Sequence, residues 1–376
     1  MNNRDSILQQ MISVAKRDRN KKRPYLIVNP LQGKHMPIDP SVAIHLFGQL
    51  AEKINAQILG QNTVVISFAE TATAIGACAA SLLRGNPMYL QTTRESCPEA
   101  EYIYFSESHS HATEQKIIKN GFVQALTRAE EIVFIEDEIT TGNTILGLKE
   151  ELDRFTKNVR YTAASLLNGM TEDSLERFQK KGIAVVYLGK SDNGNYEKLL
   201  GNYRYDGKEY IAKMDLPEIS LKRSVYSGYV NPRWIHPMKE YEEKCHQFAT
   251  QFSASHDIKE GENILILGTE EFMYPALLSA YFLEKRYPIA KIRFHATTRS
   301  PILPSSEASY PIFSRSQLIS PYEEERITYV YNLCKYDKVF LITEAEKEYS
   351  AGINTIVDAL YTAGNTKIEI CRWCEK

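Results

Sequence analysis

Three stretches of this chain return later in the same order, and that repetition limits the folds open to it more than any single motif does. "TVVISFAETATAIGACAASLL" (63–83) is echoed by "ENILILGTEEFMYPALLSAYFL" (262–283), "YLQTTRES" (89–96) by "FHATTRSP" (294–301), and "EEIVFIEDEITTGNTILGLKEEL" (130–152) by "YDKVFLITEAEKEYSAGINTIVDAL" (336–360). The long echoes share one build: a short apolar run, a turn carrying Glu, then an apolar helix. Matched residues are separated by 200 (Glu70 and Glu270), 205 (Arg94 and Arg299) and 210 (Gly142 and Gly352), a drift that short insertions explain. Unbroken apolar runs alternating with helices are the pattern of parallel strands covered on both faces. The chain is therefore expected to be α/β, with two such domains, the second a diverged copy of the first.

In the first half the periodicity predicts helix 40–58, strand 63–68, helix 72–84, strands 88–93 and 101–106, helix 112–128, strand 131–136, helix 143–156, strand 159–167, helix 171–181 and strand 183–188. Residues 189–235 lose that rhythm and gather Gly, Asn, Pro and Tyr, as a linker or covering segment does. The rhythm resumes with strand 263–268. The expected division is a first domain with an N-terminal extension over 1–215, a linker over 216–235 and a second domain over 236–376. A length of 376 residues agrees with two cores.

Lys and Arg number 45 against 47 Asp and Glu, a formal charge of -2, so no basic field invites nucleic acid and a small-molecule partner is expected. The six cysteines are too sparse for a disulfide framework. The N-terminal stretch lacks the apolar core of a signal peptide, and no run is long enough for a membrane span. A cytoplasmic protein, reduced and not membrane-bound, is the expectation; a homo-oligomer is expected too. Cys371 and Cys374 form a CxxC, half of a zinc site, for which a frayed strand end is the plainer reading.

"VFIEDEITTGNTI" (133–145) carries the chemistry. A buried strand ends in Glu136 and Asp137, where open α/β sheets bind ligands. A helix follows whose free N–H groups attract phosphate, with Gly142 allowing close backbone approach and Thr140, Thr141 and Thr144 adding hydroxyls. The two acids suit a ribose diol or a Mg²⁺ held through water.

The stretch resembles the motif by which type I phosphoribosyltransferases bind 5-phosphoribosyl 1-pyrophosphate (PRPP): apolar strand residues, two acids and a T-T-G-x-T turn. The resemblance implies a type I phosphoribosyltransferase-like parallel sheet with flanking helices in the first domain. It also implies Glu136 and Asp137 on the ribose hydroxyls, residues Thr140, Thr141, Gly142, Asn143 and Thr144 around the 5-phosphate, and Mg²⁺ on the pyrophosphate, reached from Asp137 through water. "NPLQGKHMPIDP", "FAETATAIG", "TTRE", "SESHSHATEQ", "GTEEFMYPALL", "TTRSPI" and "YNLCKYD" together are similar to the bacterial phosphoribosyltransferases with a C-terminal TRSP domain, encoded in tellurium-resistance-type stress gene clusters. Those are predicted enzymes of nucleotide or nucleoside synthesis. Hypoxanthine-type relatives place an Asp directly before the Thr-Gly, where this chain has Thr140. A pyrimidine-like, orotate-like acceptor, already anionic at its nucleophilic nitrogen, is therefore preferred over a purine.

Displacing pyrophosphate from C1' passes through a ribosyl cation, which Glu136 and Asp137 suit. The turn Ala69, Glu70, Thr71, Ala72 and Thr73 is the expected pyrophosphate cradle, or else an ordinary capping turn, with Glu70 orienting a cation or binding Mg²⁺. Arg94 is the expected pyrophosphate cation, a surface Arg being the alternative. His109 and His111 alternate on an extended segment that can close over PRPP and donate to the leaving group; a metal pair and a capping segment at Ser110 are the rival readings. Lys34 and His35 either roof the acceptor pocket or belong to a solvated loop. In the second copy Thr269, Glu270, Glu271, Arg299 and Ser300 are expected to converge on one cleft, a possible second site. A regulator that binds PRPP or a nucleotide without turning it over is the rival to the enzyme.

Overall fold

The computed structural model describes residues 10–20, 23–105, 115–191, 194–216, 219–347 and 350–375. They form two compact units whose boundaries do not follow the linear division expected from sequence. One, here the first unit, comprises Ile44–Ser191 and Val230–Lys244; the second comprises Met1–Ala43, Asp192–Tyr229 and Cys245–Lys376. No helix of the described residues is long and apolar enough to cross a membrane.

The first unit is built on a six-stranded sheet in the order His236–Pro237, Met88–Gln91, Thr63–Ser67, Glu131–Ile139, Arg160–Asn168, Ile183–Lys190. All pairings are parallel except that of His236–Pro237 with Met88–Gln91. Residues Ile132 to Ile135 are fully buried, as strands with helices on both faces require. A core of Val64, Ile66, Phe68, Leu90, Phe134 and Leu148 lies on one face. Helix 112–128 is not present as expected. Lys116–Ile118 is a strand paired antiparallel with Tyr102–Tyr104, and only Phe122–Leu126 is helical, started by Gly121 with φ 73°. The β-branched Ile117 packs in the core and Ile118 is buried beside it, so strand packing overrides the apparent helical pattern.

The second unit carries a five-stranded, all-parallel sheet in the order Lys222–Tyr226, Ile368–Trp373, Lys338–Thr343, Asn263–Gly268, Lys291–Ala296. Four of its strands repeat the order of the first sheet: Met88–Gln91, Thr63–Ser67, Glu131–Ile139, Arg160–Asn168 correspond to Lys291–Ala296, Asn263–Gly268, Lys338–Thr343, Ile368–Trp373. The local bonds repeat too. Thr92 N donates to Ser67 O (2.9 Å) and Thr297 N to Gly268 O (3.0 Å). Thr93 bridges Lys116 and Thr298 bridges Tyr329, each reaching an antiparallel hairpin. Such agreement in order and in bonds is what a duplicated fold leaves behind.

Residues expected as an N-terminal extension, and the expected linker as far as Tyr229, are structural parts of the second unit, while 230–235 belong to the first. Ser13–Lys16 and Tyr25–Val28 pair antiparallel, and Ala15 and Val28 pack on Ile302, Tyr310, Ile312 and Tyr331. Lys208–Ile211 joins Ser314–Ile319 and Ile327–Tyr331 in a three-stranded sheet, and Lys222–Tyr226 is the edge of the parallel one. Lys34 and His35 are buried here, with Lys34 Nζ donating to Glu270 O at 2.8 Å, so they form no solvated loop. Nor is the C-terminal strand frayed: Cys371 is wholly buried within Ile368–Trp373.

Candidate functional site

At the carboxyl edge of the first sheet, strand Glu131–Ile139 leaves its covering: burial is complete to Ile135 and partial from Glu136 to Glu138. Side chains alternate along a strand, so Glu136 shares a face with Ile132 and Phe134, and Asp137 shares the opposite face with Val133 and Ile135. Asp137 Oδ1 accepts a hydrogen bond of 2.8 Å from Thr71 Oγ1. That bond ties the acid to the turn after the neighbouring strand, Thr63–Ser67. The turn is held by Phe68 N donating to Ile135 O (3.0 Å), by Ala69 N donating to Thr92 Oγ1 (2.9 Å) and by Thr73 Oγ1 donating to Glu70 O (3.2 Å). The Ala69–Glu70 peptide is cis. Glu70 and Thr73 are buried, whereas Thr71 is partly open.

Helix Thr73–Ser81 begins at Ala72 and helix Asn143–Leu152 at Gly142, and neither start receives a side-chain cap. The first N–H groups of both helices point to one edge, where Asn143 N makes a long bond of 3.4 Å to Thr141 Oγ1. Gly142 is required twice over. Its φ of 72° is left-handed, and a Cβ there would lie 2.3 Å from Phe178 Cε2.

Sequence reasoning missed Phe178 and Arg177, both on helix Glu172–Lys180. Arg177 Nη2 donates to Thr141 O (3.0 Å) and Nη1 to Asn143 Oδ1 (3.3 Å), fixing the loop from behind. The amphipathic "EDSLERFQK" carries no local sign of that task. Thr141 and Asn143 are exposed, Thr140 and Thr144 half-buried.

Burial pushes the Glu136 carboxyl well above the usual range, the charge of Asp137 adds to the rise, Arg94 opposes it and Glu138 adds a little. Arg94, partly buried, thus acts on the charge of Glu136. Arg233, also missed, is buried behind Thr93, its Nε donating to Thr93 Oγ1 at 3.1 Å. The edge brings together Ala69, Glu70, Thr71, Ala72, Thr73, Arg94, Glu136, Asp137 and the loop Thr140–Thr144. His109 and His111 lie outside the described residues.

In the second unit Glu270, Glu271 and Arg299 also meet. Arg299 Nε lies 2.7 Å from Glu270 Oε2 and its Nη2 3.2 Å from Glu271 Oε1. The hairpin turn after Ser314–Ile319 joins them: Ser320 Oγ donates to Glu270 Oε1 (2.5 Å) and Arg326 Nη1 to Glu270 Oε2 (3.1 Å). Thr269 Oγ1 shares a hydrogen bond with Tyr322 OH, and Ser300 N donates to Thr298 Oγ1. Both carboxylates are buried, so the group closes on the protein's own turn. The matching helix, Ala351–Thr362, is capped by Ser350, which accepts from Ile353 N, and a Cβ on Gly352 would meet Ser320 O at 2.3 Å.

A parallel sheet whose carboxyl edge presents two uncapped helix starts and an acid pair is the build of a protein that binds a phosphorylated sugar. A phosphoribosyl transferase model matches residues 11–187, and a model of the TRSP domain that lies C-terminal to that transferase matches 235–360. The chain belongs to this family of phosphoribosyltransferases with a C-terminal TRSP domain. No curated protein matches it. Among solved structures, adenine phosphoribosyltransferase from Trypanosoma brucei, in complex with AMP, pyrophosphate and ribose-5-phosphate, is similar at 14% identity and TM-score 0.38, over 51% of this chain and 83% of that one. The Leishmania tarentolae enzyme is similar at 16% and 0.39, over 51% and 88%. That of Rhodothermus marinus is similar at 15% and 0.38, over 50% and 98%. At such values the likeness says nothing about the acceptor.

Proposed function

We propose that the first unit moves the ribose 5-phosphate of PRPP to a nitrogenous, acidic acceptor with release of pyrophosphate. The observation that carries this reading is the Thr71–Asp137 bond of 2.8 Å, which joins the pyrophosphate turn to the ribose acid in front of two uncapped helix starts. The 5-phosphate takes the N–H groups of the Gly142 loop and the hydroxyls of Thr140, Thr141 and Thr144. Asp137 and Glu136 take the ribose hydroxyls and face the positive charge that grows as the C1'–pyrophosphate bond breaks. Arg94 and the turn 69–73 hold the leaving pyrophosphate, with His109 and His111 as its donors.

The donors at this edge fit Mg²⁺: Glu136, Asp137 and Glu70 are hard carboxylates, and Thr71 Oγ1 holds one oxygen of Asp137 in place. A bound ion would supply charge neutralisation for the pyrophosphate, with Asp137 as the residue that would hold it and Thr71 fixing that carboxylate.

Thr140 where a purine-handling Asp would stand supports an orotate-like acceptor whose nitrogen arrives without a proton to remove. A synthesis of nucleotide-like metabolites in the cytoplasm is the setting this reading suits. In the second unit Thr269, Glu270, Glu271, Arg299 and Ser300 are read as the remnant of the same edge, closed by Ser320 and Arg326. Pyrophosphate release from PRPP, followed over a panel of purine and pyrimidine bases with and without Mg²⁺, tests the reading. Release with an acidic pyrimidine is expected; release with hypoxanthine alone would reverse the acceptor assignment, and none with any base would remove the reaction.

A further inference from the structure

The amino edge of the second sheet, remote along its strands from the closed carboxyl edge, holds a different group of side chains. Helix Met238–Ala254 ends there, and His256 follows it. His256 Nδ1 sits 2.7 Å from Phe252 O, so Nδ1 carries a proton and donates it, and Nε2 is directed away from the helix. Nε2 lies 3.1 Å from Glu369 Oε1 but makes no well-aligned hydrogen bond, although His256 is only 6% exposed. Glu369 and Cys371 lie two apart on strand Ile368–Trp373 and so share a face. One ligand atom from each of His256, Glu369 and Cys371 falls within 4.8 Å of the others. An open cleft of about 720 Å³ has His256 and Glu369 in its wall.

We propose that His256 Nε2, a Glu369 carboxylate oxygen and the Cys371 sulfur bind a zinc ion whose fourth position opens on this cleft.

Nitrogen, oxygen and sulfur from three residues, with one position left for water, is the donor set and count of an open zinc site. The surroundings supply what such ligands need. A ring N–H given to a backbone carbonyl orients the histidine, and Ser224 Oγ, donating to Glu369 Oε1 at 2.5 Å, orients the carboxylate. The helix C-terminus adds negative potential. Lys222 Nζ, 3.1 Å from Glu369 Oε2, is the opposing charge, and it engages the other oxygen. Zinc entry at the Cys371 thiol would form the Zn–S bond and release the thiol proton to solvent. Cys374, the other half of the CxxC, is outside the cluster.

The full-length protein, stripped with a chelator and free of PRPP, is titrated with Zn²⁺ by calorimetry and with Co²⁺ by absorption spectroscopy. One tight Zn²⁺ per chain is expected, and a thiolate-to-cobalt charge-transfer band with Co²⁺. Cys371→Ser should abolish the band, Cys374→Ser should keep it, and Ser224→Ala should weaken Zn²⁺ about 10- to 100-fold. Circular dichroism checks that each variant is folded. A wild-type cobalt spectrum without a thiolate band overturns the proposal whatever the variants do. So does a band that survives Cys371→Ser, and so does Ser224→Ala with undiminished affinity.

Discussion

The two parallel sheets share four strands in one order, yet their carboxyl edges have opposite characters. In the first, the helix starts at Ala72 and Gly142 lack side-chain caps, and the acid pair faces a partly open edge. In the second, Ser350 caps its own helix, Thr343 and Glu344 stand where Glu136 and Asp137 stood, and a hairpin turn fills the space with Ser320, Tyr322 and Arg326. The same scaffold leaves one carboxyl edge partly open and closes the other on its own turn. An uncapped helix start costs stability, and on the proposed reading a ligand at this half-buried acid pair offsets that cost.

The largest expected effect separates the units by folding. A fragment of residues 236–376 lacks the hairpin that covers Ile302, Tyr310, Ile312 and Tyr331 and lacks the edge strand Lys222–Tyr226. It should show no cooperative thermal unfolding by calorimetry. A fragment with a sharp transition would mean that these strands are accessory.

Next come the acids. Asp137→Asn should lower the rate of pyrophosphate release by roughly 10²-fold or more, with PRPP affinity falling less. Glu344→Gln, at the matching position, should leave turnover unchanged. Equal losses would erase the distinction between the edges.

The matched glycines differ in the same way. Gly352→Ala drives a Cβ onto Ser320 O and should cost about 1–3 kcal/mol in denaturant unfolding, with activity per folded molecule kept. Gly142→Ala should cost a similar amount and also remove PRPP binding, since it strains the phosphate loop itself.

The smallest effect is a gain. Glu136 has its carboxyl raised by burial, so the folded protein prefers it neutral; the stability from that preference is present below the usual range near 4.5 and is lost as pH rises through the raised value. Glu136→Gln should therefore raise the melting temperature of the ligand-free protein. The gain should grow from acid to neutral pH, while turnover falls. A melting temperature that drops at neutral pH would count against a strained acid.

Much of this was legible in the sequence. Apolar runs announced both sheets, and the echoes at Glu70, Arg94 and Gly142 announced that the second follows the first, because strand burial and left-handed turns restrict residue choice locally. What stayed hidden depends on contacts distant in sequence. Arg177 and Phe178 support the phosphate loop from the next helix but one, with nothing in their own neighbourhood to say so. Lys34 meets Glu270 across 236 positions, which no periodicity reveals. The strand Lys116–Ile118 reads as helix in the sequence because three apolar or long side chains in a row fit both patterns.

Calorimetric titration with PRPP and Mg²⁺ tests the division between the edges most directly, since it counts sites. The account predicts one PRPP per chain, lost in Gly142→Ala and kept in Glu344→Gln. Two PRPP per chain, or one that survives Gly142→Ala and disappears in Glu344→Gln, would contradict it.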